Sequence, residues 1–333
     1  TLRGLSIALL LCVCADGVWR IGGQAADDAP MRFAMSSDAT PDGAVQCHAP
    51  LMWQQGQLPM PEGVPTDEGA LAALDAAADL ALRLSGPLAQ VRSQVAALGL
   101  DVLCYPDVGM DPLTTYLAYA RLAPVQCALW GHPVTTGSPH IDYFVSAAGL
   151  EPEDAENHYR ERLVRLSRLP TYYHAPAAPA VVTPGTELAP GHEESRWYVC
   201  PHSLFKLHPD FDAVLADLLH ADPLGELFLL EGVSANWSRR LLERFAATDP
   251  RLAERTVLLP RLAEPQFLSL LLHADALLDP LHFGGGNTTY EAFAVGAPIV
   301  TLPGAYMRGR VTAACYRQMG VDGPVASTPG EYV

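Results

Sequence analysis

The sequence predicts a doubly wound α/β protein with parallel sheets and two lobes. Three observations carry this. Short apolar runs of strand length alternate with helix-length segments over most of residues 68–333, the pattern of parallel strands joined by crossover helices. A length of 333 residues matches two domains of ordinary size. The chain is 49% apolar and only 17% charged, which allows sizeable cores and excludes a disordered chain.

The chain begins at Thr1 without a methionine, as a fragment or processed chain would. Leu5 to Val13 is apolar and reads either as a signal-peptide core ending near Ala15 or as a buried first helix. Residues 16–68 are rich in Pro, Gly, Asp and Ala, show no period and read as loops. Helices are expected over Leu71–Leu84 and Leu88–Leu98, and a strand over Val102–Tyr105. Pro112 suits the first turn of a helix reaching Leu122. Val125–Trp130, Tyr143–Val145 and Leu163–Leu166 follow as strands.

Ala175–Glu194 carries four prolines and no period, which marks a boundary. The expected division is a first lobe over 1–176, a linker over 177–194 and a second lobe over 195–333. In the second lobe, strands are expected at Trp197–Cys200, Glu226–Leu230, Thr256–Leu259, Ala276–Leu278 and Ile299–Leu302. The intervening helices are Pro209–Leu219, Trp237–Ala247, Pro265–His273 and Thr288–Val295, with Arg308–Met319 last.

Net charge is −16. That excludes a general nucleic-acid or anionic-membrane binder, whose affinity rests on basic residues. No apolar run is long enough to span a membrane. The seven cysteines, at 12, 14, 47, 104, 127, 200 and 315, are scattered. They lack metal-knuckle spacing and read as reduced thiols of an intracellular, cytoplasmic protein. No Ser-His-Asp order, Walker loop or zinc spacing is present.

The most informative stretch runs from His282 to Glu291, with Gly284, Gly285 and Gly286 followed by Asn287, Thr288 and Thr289. It links an apolar strand to a helix. Such a turn presents bare backbone N–H groups and the positive end of a helix dipole, which suits a phosphate. Asn287 or Thr288 would cap the helix. Glu291 shares a face with Asn287, one turn deeper, within reach of a ribose hydroxyl. A strand–turn–helix that uses glycine only for tight packing remains the alternative.

Other candidates are weaker. Asp210 and Asp212 form an Asp-x-Asp, but they lie in the first turn of a helix, where the dipole alone favours acids; no metal site is expected. Asp107 and Asp111 flank Gly109 in a strand-end loop, with Asp111 placed to cap the helix at Pro112. Arg308 and Arg310 face either the phosphate side or solvent.

Several blocks together resemble glycosyltransferase family 41. They are Arg121–Gln126, Trp130–Gly137, Asp142-Tyr143, Glu161–Leu166, Phe205-Lys206, Gly285–Thr288 and Gly296–Gly304. That family holds protein O-GlcNAc transferases, SPINDLY-type O-fucosyltransferases and bacterial adhesin N-glycosyltransferases. The resemblance implies a GT-B architecture, two Rossmann-like doubly wound lobes facing a cleft, with the first lobe incomplete here. It implies an inverting, metal-independent transfer of a sugar, with GlcNAc expected, from a UDP-sugar to protein Ser/Thr. No cofactor is implied; the nucleotide sugar is the donor substrate. Lys206 matches the lysine that contacts the diphosphate. Gly285, Gly286, Asn287 and Thr288 match the phosphate-holding turn, and Glu291 the ribose ligand. Gly131, His132 and Pro133 match the first-lobe motif, where His132 suits proton transfer or donation to a phosphate oxygen; a packed histidine is the alternative. The family's frequent upstream tetratricopeptide repeats and its histidine loop are not matched, and its usual side chains near 262–268 are replaced by Leu262, Pro265 and Leu268. Glucose transfer to Asn, fucose transfer from GDP-fucose, and an inactive nucleotide- or protein-binding remnant are the rival readings.

Overall fold

The computed structural model describes residues 7–9, 20–21, 82, 84, 86–172 and 182–333. Nearly all of the helix expected over Leu71–Leu84 and of the irregular stretch 16–68 lies outside these residues. The chain divides into two units, Thr1–Tyr173 and His174–Val333.

The first unit holds strands β1 (Ile7–Leu9), β3 (Val102–Tyr105), β4 (Val125–Leu129), β5 (Tyr143–Ala147) and β6 (Arg162–Leu166) in a five-stranded sheet of that order. All four pairings are parallel. A second pair, β2 (Arg20–Ile21) and β7 (Thr171–Tyr172), is antiparallel. Ile7–Leu9 therefore forms an edge strand rather than the first helix that its apolar run also allowed. Periodicity does not separate a short buried strand from a helix segment.

Helix α1 spans Leu88–Ala97 and α2 spans Pro112–Leu117. Asp111 caps α2, its Oδ1 accepting from the Thr114 amide at 2.9 Å. The helix expected to reach Leu122 stops at Leu117, and the buried Gln126 supplies the reason. Its Oε1 accepts from the Leu122 amide at 2.8 Å, and its Nε2 donates to the Ala120 carbonyl at 3.0 Å. Those backbone groups are thereby drawn away from helix continuation.

The second unit holds β8 (Arg196–Cys200), β9 (Gly225–Leu230), β10 (Thr256–Leu259), β11 (Ala276–Leu278) and β12 (Ile299–Val300). Spatial order is β10-β9-β8-β11-β12 with every pairing parallel. In chain order this is 3-2-1-4-5, the doubly wound arrangement. The helices are α3 (Gly185–Leu188), α4 (Pro209–Ala221), α5 (Ala235–Thr248), α6 (Pro250–Glu254), α7 (Glu264–His273), α8 (Asn287–Ala294), α9 (Val311–Met319) and α10 (Pro329–Tyr332). Residues 185–188 of the proline-rich stretch thus form a helix, and Leu188 and Ala189 pack against Trp197 in this unit's core.

Alternate residues of each strand feed opposite cores. Leu227 and Leu229 pack with Phe211, Leu215, Leu241 and Phe245 from α4 and α5. Phe228 packs on the other face with Trp197, Leu268, Leu271 and Leu277. Both faces are covered, which explains why the strands read as continuous apolar runs rather than alternating ones. The final segment, expected as one helix from Arg308, divides into a 3-10 turn at Met307–Gly309 and α9. The Arg310 guanidinium donates to the Gly304 carbonyl at 2.9 Å and holds that turn back on its own loop.

Candidate functional site

The order of the second sheet decides where a ligand fits. The order of strand addition reverses between β8 and β11, and such a switch point opens a crevice at the carboxyl ends of the strands. The two loops leaving that edge are 201–208, after β8, and 279–286, after β11. They carry Lys206 and the glycine turn.

The two loops are tied together. Lys206 Nζ donates to the Gly284 carbonyl at 3.0 Å and lies 4.5 Å from the centroid of the Phe283 ring. An ammonium has three donors, so this bond leaves two for another acceptor. Burial pulls the Lys206 pKa below the ordinary lysine value, opposed by the nearby Asp279 and Cys200. Lys206 is also the sole lysine of the chain beside 20 arginines.

Beneath the turn sits Asp279, at the end of β11 and 3% exposed. Its Oδ1 accepts from the Gly285 amide at 2.7 Å, and its Oδ2 accepts from the Thr301 hydroxyl at 2.7 Å. His202 Nε2 stands 3.7 Å from the same carboxylate. Burial raises the Asp279 pKa and drives that of His202 well below the ordinary histidine value.

Glycine is required at two positions by this close approach. A Cβ on Gly284 would lie 2.6 Å from Asp279 Oδ1, and one on Gly285 would lie 2.3 Å from Thr289 Oγ1 and 2.9 Å from His202 Cε1. The amide of Gly285 is engaged by Asp279. Of the amides at the start of α8, that of Thr289 donates to the Gly286 carbonyl at 3.1 Å. The cap also differs from expectation. Gly286 occupies the N-cap without a side-chain bond, and Asn287 is the first helical residue. Glu291 lies half-buried one turn further along the helix.

The edge of the loop carries strain. His282 has φ 68°, and among the described residues it is the only non-glycine with positive φ. This conformation costs about 1–2 kcal/mol for an L-residue. Its Nε2 lies 2.9 Å from Asp210 Oδ2. That hydrogen bond holds the Asp210 carboxyl below its usual range. Asp212 is placed differently. It is buried and takes a two-pronged bond from Arg244, Nε to Oδ2 at 2.7 Å and Nη2 to Oδ1 at 2.8 Å. The Asp-x-Asp pair therefore does not act as one ligand set. Arg308 lies over the Tyr306 ring at 4.8 Å.

In the first unit, Gly131, His132 and Pro133 follow the carboxyl end of β4. Gly131 permits contact with the loop after β3, since a Cβ there would lie 2.1 Å from the Pro106 carbonyl oxygen. The half-buried His132 ring lies against Gly109, whose φ is +100°; a Cβ on Gly109 would be 2.4 Å from His132 Cδ2. The residues after the motif are anchored by the buried Glu161. It accepts from the Thr135 hydroxyl at 2.6 Å, from the Thr136 amide at 2.8 Å and from the Thr136 hydroxyl. Arg121 and Asp142 pair at 3.0 Å through Nη2 and Oδ1. Several blocks that carry the family resemblance are thus scaffold contacts around His132.

Sequence reasoning passed over Asp279 and His202. An acid closing an apolar strand, Leu277-Leu278-Asp279, was the available signal. The uniqueness of Lys206 was a second.

No protein-family profile matches the chain. Among curated proteins, it is 29% identical over 219 residues to a probable UDP-N-acetylglucosamine–peptide N-acetylglucosaminyltransferase SPINDLY of Solanum lycopersicum, covering 64% of this chain and 23% of that protein. It is 27% identical over 249 residues to a UDP-glucose:protein N-beta-glucosyltransferase of Actinobacillus pleuropneumoniae serotype 5b, covering 73% of this chain and 38% of that protein. The chain therefore spans between 23% and 38% of the length of these relatives. Among solved structures, a mutant O-GlcNAc transferase of Thermobaculum terrenum aligns with 99% of this chain and 58% of its own, at 24% identity and a TM-score of 0.72. That likeness establishes the fold class, parallel-sheet α/β units of GT-B type. On this fold, the curated relatives and the motif blocks read above make the chain similar to glycosyltransferase family 41.

Proposed function

We propose that the chain is the catalytic region of a glycosyltransferase that moves a sugar, with GlcNAc preferred, from a UDP-sugar to a protein Ser/Thr hydroxyl. The observation that carries the reading is the meeting of Lys206 with the glycine turn at the switch point of the second sheet. A diphosphate at the start of α8 would receive the first-turn amides, the helix dipole and the Lys206 ammonium. These groups stabilise the departing UDP, so the reaction needs no divalent ion. Glu291 reads the ribose. The names of the relatives support a nucleotide-sugar donor and a protein acceptor. Inversion is the stereochemical course assigned to the transfer.

His132 is the proton-handling residue of the first unit, as base or as donor to a phosphate oxygen. His132→Ala is expected to lower turnover on the order of 10²–10⁴ while UDP affinity changes little. An equal loss of both would return His132 to a packing role.

Glucose transfer to Asn is the second reading, favoured by the N-glucosyltransferase relative. Calorimetric titration with UDP and GDP in EDTA tests the donor assignment. UDP binding without metal is expected, and a strict requirement for manganese or magnesium would overturn it. Release of free sugar from UDP-GlcNAc against UDP-glucose separates the two readings.

A further inference from the structure

One cluster in the second unit has no part in the donor site described above. His208 ends the loop after β8 and caps α4, Asp210 lies in the first turn of α4, and His282 opens the loop after β11. All three are exposed, and their ligand atoms lie within 4.8 Å of one another. His282 Nε2 is 2.9 Å and His208 Nδ1 is 3.4 Å from Asp210 Oδ2. The two imidazoles meet edge to face, with centroids 4.8 Å apart.

The two separations from Asp210 Oδ2 fit the edges of a coordination polyhedron. Metal–ligand bonds of about 2.0–2.2 Å put neighbouring ligand atoms roughly 2.9–3.5 Å apart. An ordinary cap and one hydrogen bond hold these side chains in place, and they bring two imidazoles to one carboxylate oxygen from segments far apart in the chain. We propose that His208, Asp210 and His282 form a binding site for a transition-metal dication of the zinc class, pinning the glycine loop to the start of α4. Two nitrogens and one carboxylate oxygen select against magnesium and calcium, which take all-oxygen shells, and the lack of thiolate selects against copper(I). Three protein ligands leave one position for water. His208 contributes Nε2, or Nδ1 on releasing the Asp210 amide it now caps at 3.2 Å. The ion clamps the loop and takes no part in the donor chemistry assigned above, which rests on Lys206 and the start of α8.

The test uses the whole chain after chelator treatment. Zinc should raise its thermal midpoint, because a ligand bound to the native state stabilises it, and cobalt(II) should give absorption bands of a bound ion; magnesium should do neither. His282→Ala and Asp210→Asn should each lower zinc affinity by at least roughly tenfold, the smaller loss seen when even an outer partner of a metal ligand is removed. Both variants should match the parent midpoint in EDTA, which shows that they fold. His220→Ala, at a separate exposed pair with Asp249 at 2.9 Å, should leave zinc binding unchanged. The proposal fails if the parent chain binds no zinc, if magnesium stabilises equally, or if His282→Ala and Asp210→Asn bind zinc as the parent does. UDP affinity measured in EDTA reports on the donor site separately.

Discussion

At the scale of single residues, Lys206 concentrates the chemistry of the second unit. Arginine serves wherever else this chain needs a permanent cation, yet lysine stands at this position. A compact ammonium on a flexible stem fits a narrow gap between two loops better than a planar fork does. Burial lowers its pKa, and only the protonated form attracts a diphosphate. UDP affinity is therefore expected to be full below the Lys206 pKa and to fall as pH rises through it, at lower pH than an ordinary lysine would give. In Lys206→Arg the fall should disappear, and Lys206→Ala should cost about 1.5–3 kcal/mol of UDP binding. An amine-selective reagent has one side-chain target here, so UDP should protect that target from labelling; labelling indifferent to UDP would remove Lys206 from the site. Glu291 is separable by a different ligand pair. Glu291→Ala should weaken UDP and leave the weaker binding of inorganic pyrophosphate unchanged. Equal weakening would mean that Glu291 supports the helix instead of the nucleoside.

At the scale of elements, the glycine turn is shaped from below. Asp279 takes the Gly285 amide and the Thr301 hydroxyl, and with His202 and Thr289 it leaves no room for a side chain. Gly285→Ala should destabilise the chain by about 1–3 kcal/mol, since its neighbours are buried and cannot yield, and should impair UDP binding. Gly286 differs, with φ −119° and open space for at least 4 Å around the point a Cβ would occupy. Gly286→Ala should therefore be tolerated in stability. Denaturant midpoints of the two variants decide the matter, and equal losses would refute the close-approach argument. The three adjacent glycines look equivalent in the sequence, and the neighbours that distinguish them come from the loop after β8, the end of β11 and α8.

At the scale of the whole molecule, the second unit owes its stability to cores on both faces of its sheet. Phe228 is fully buried and stacks on Trp197 with ring centroids 4.5 Å apart. Phe228→Ala should cost about 3–5 kcal/mol. Phe205, 63% exposed beside Lys206, should change stability by no more than about 0.5 kcal/mol on truncation. Urea unfolding of both variants checks the contrast. The sequence by itself determined the alternation of strands and helices, the glycine turn after β11 and the resemblance to a known family, because these rest on local periodicity, turn chemistry and motif order. It read the apolar run Leu5–Val13 as a signal-peptide core or a buried helix, whereas Ile7–Leu9 pairs as a strand, since periodicity does not separate a short buried strand from a helix segment. It also paired Asp210 with Asp212, where the fold gives Asp212 to Arg244 and brings Asp210 to His282. Only the tertiary structure decided those partners and the carboxylate beneath the glycine turn. Each joins segments that are apart in the chain, and their meeting depends on strand order, which no local pattern encodes.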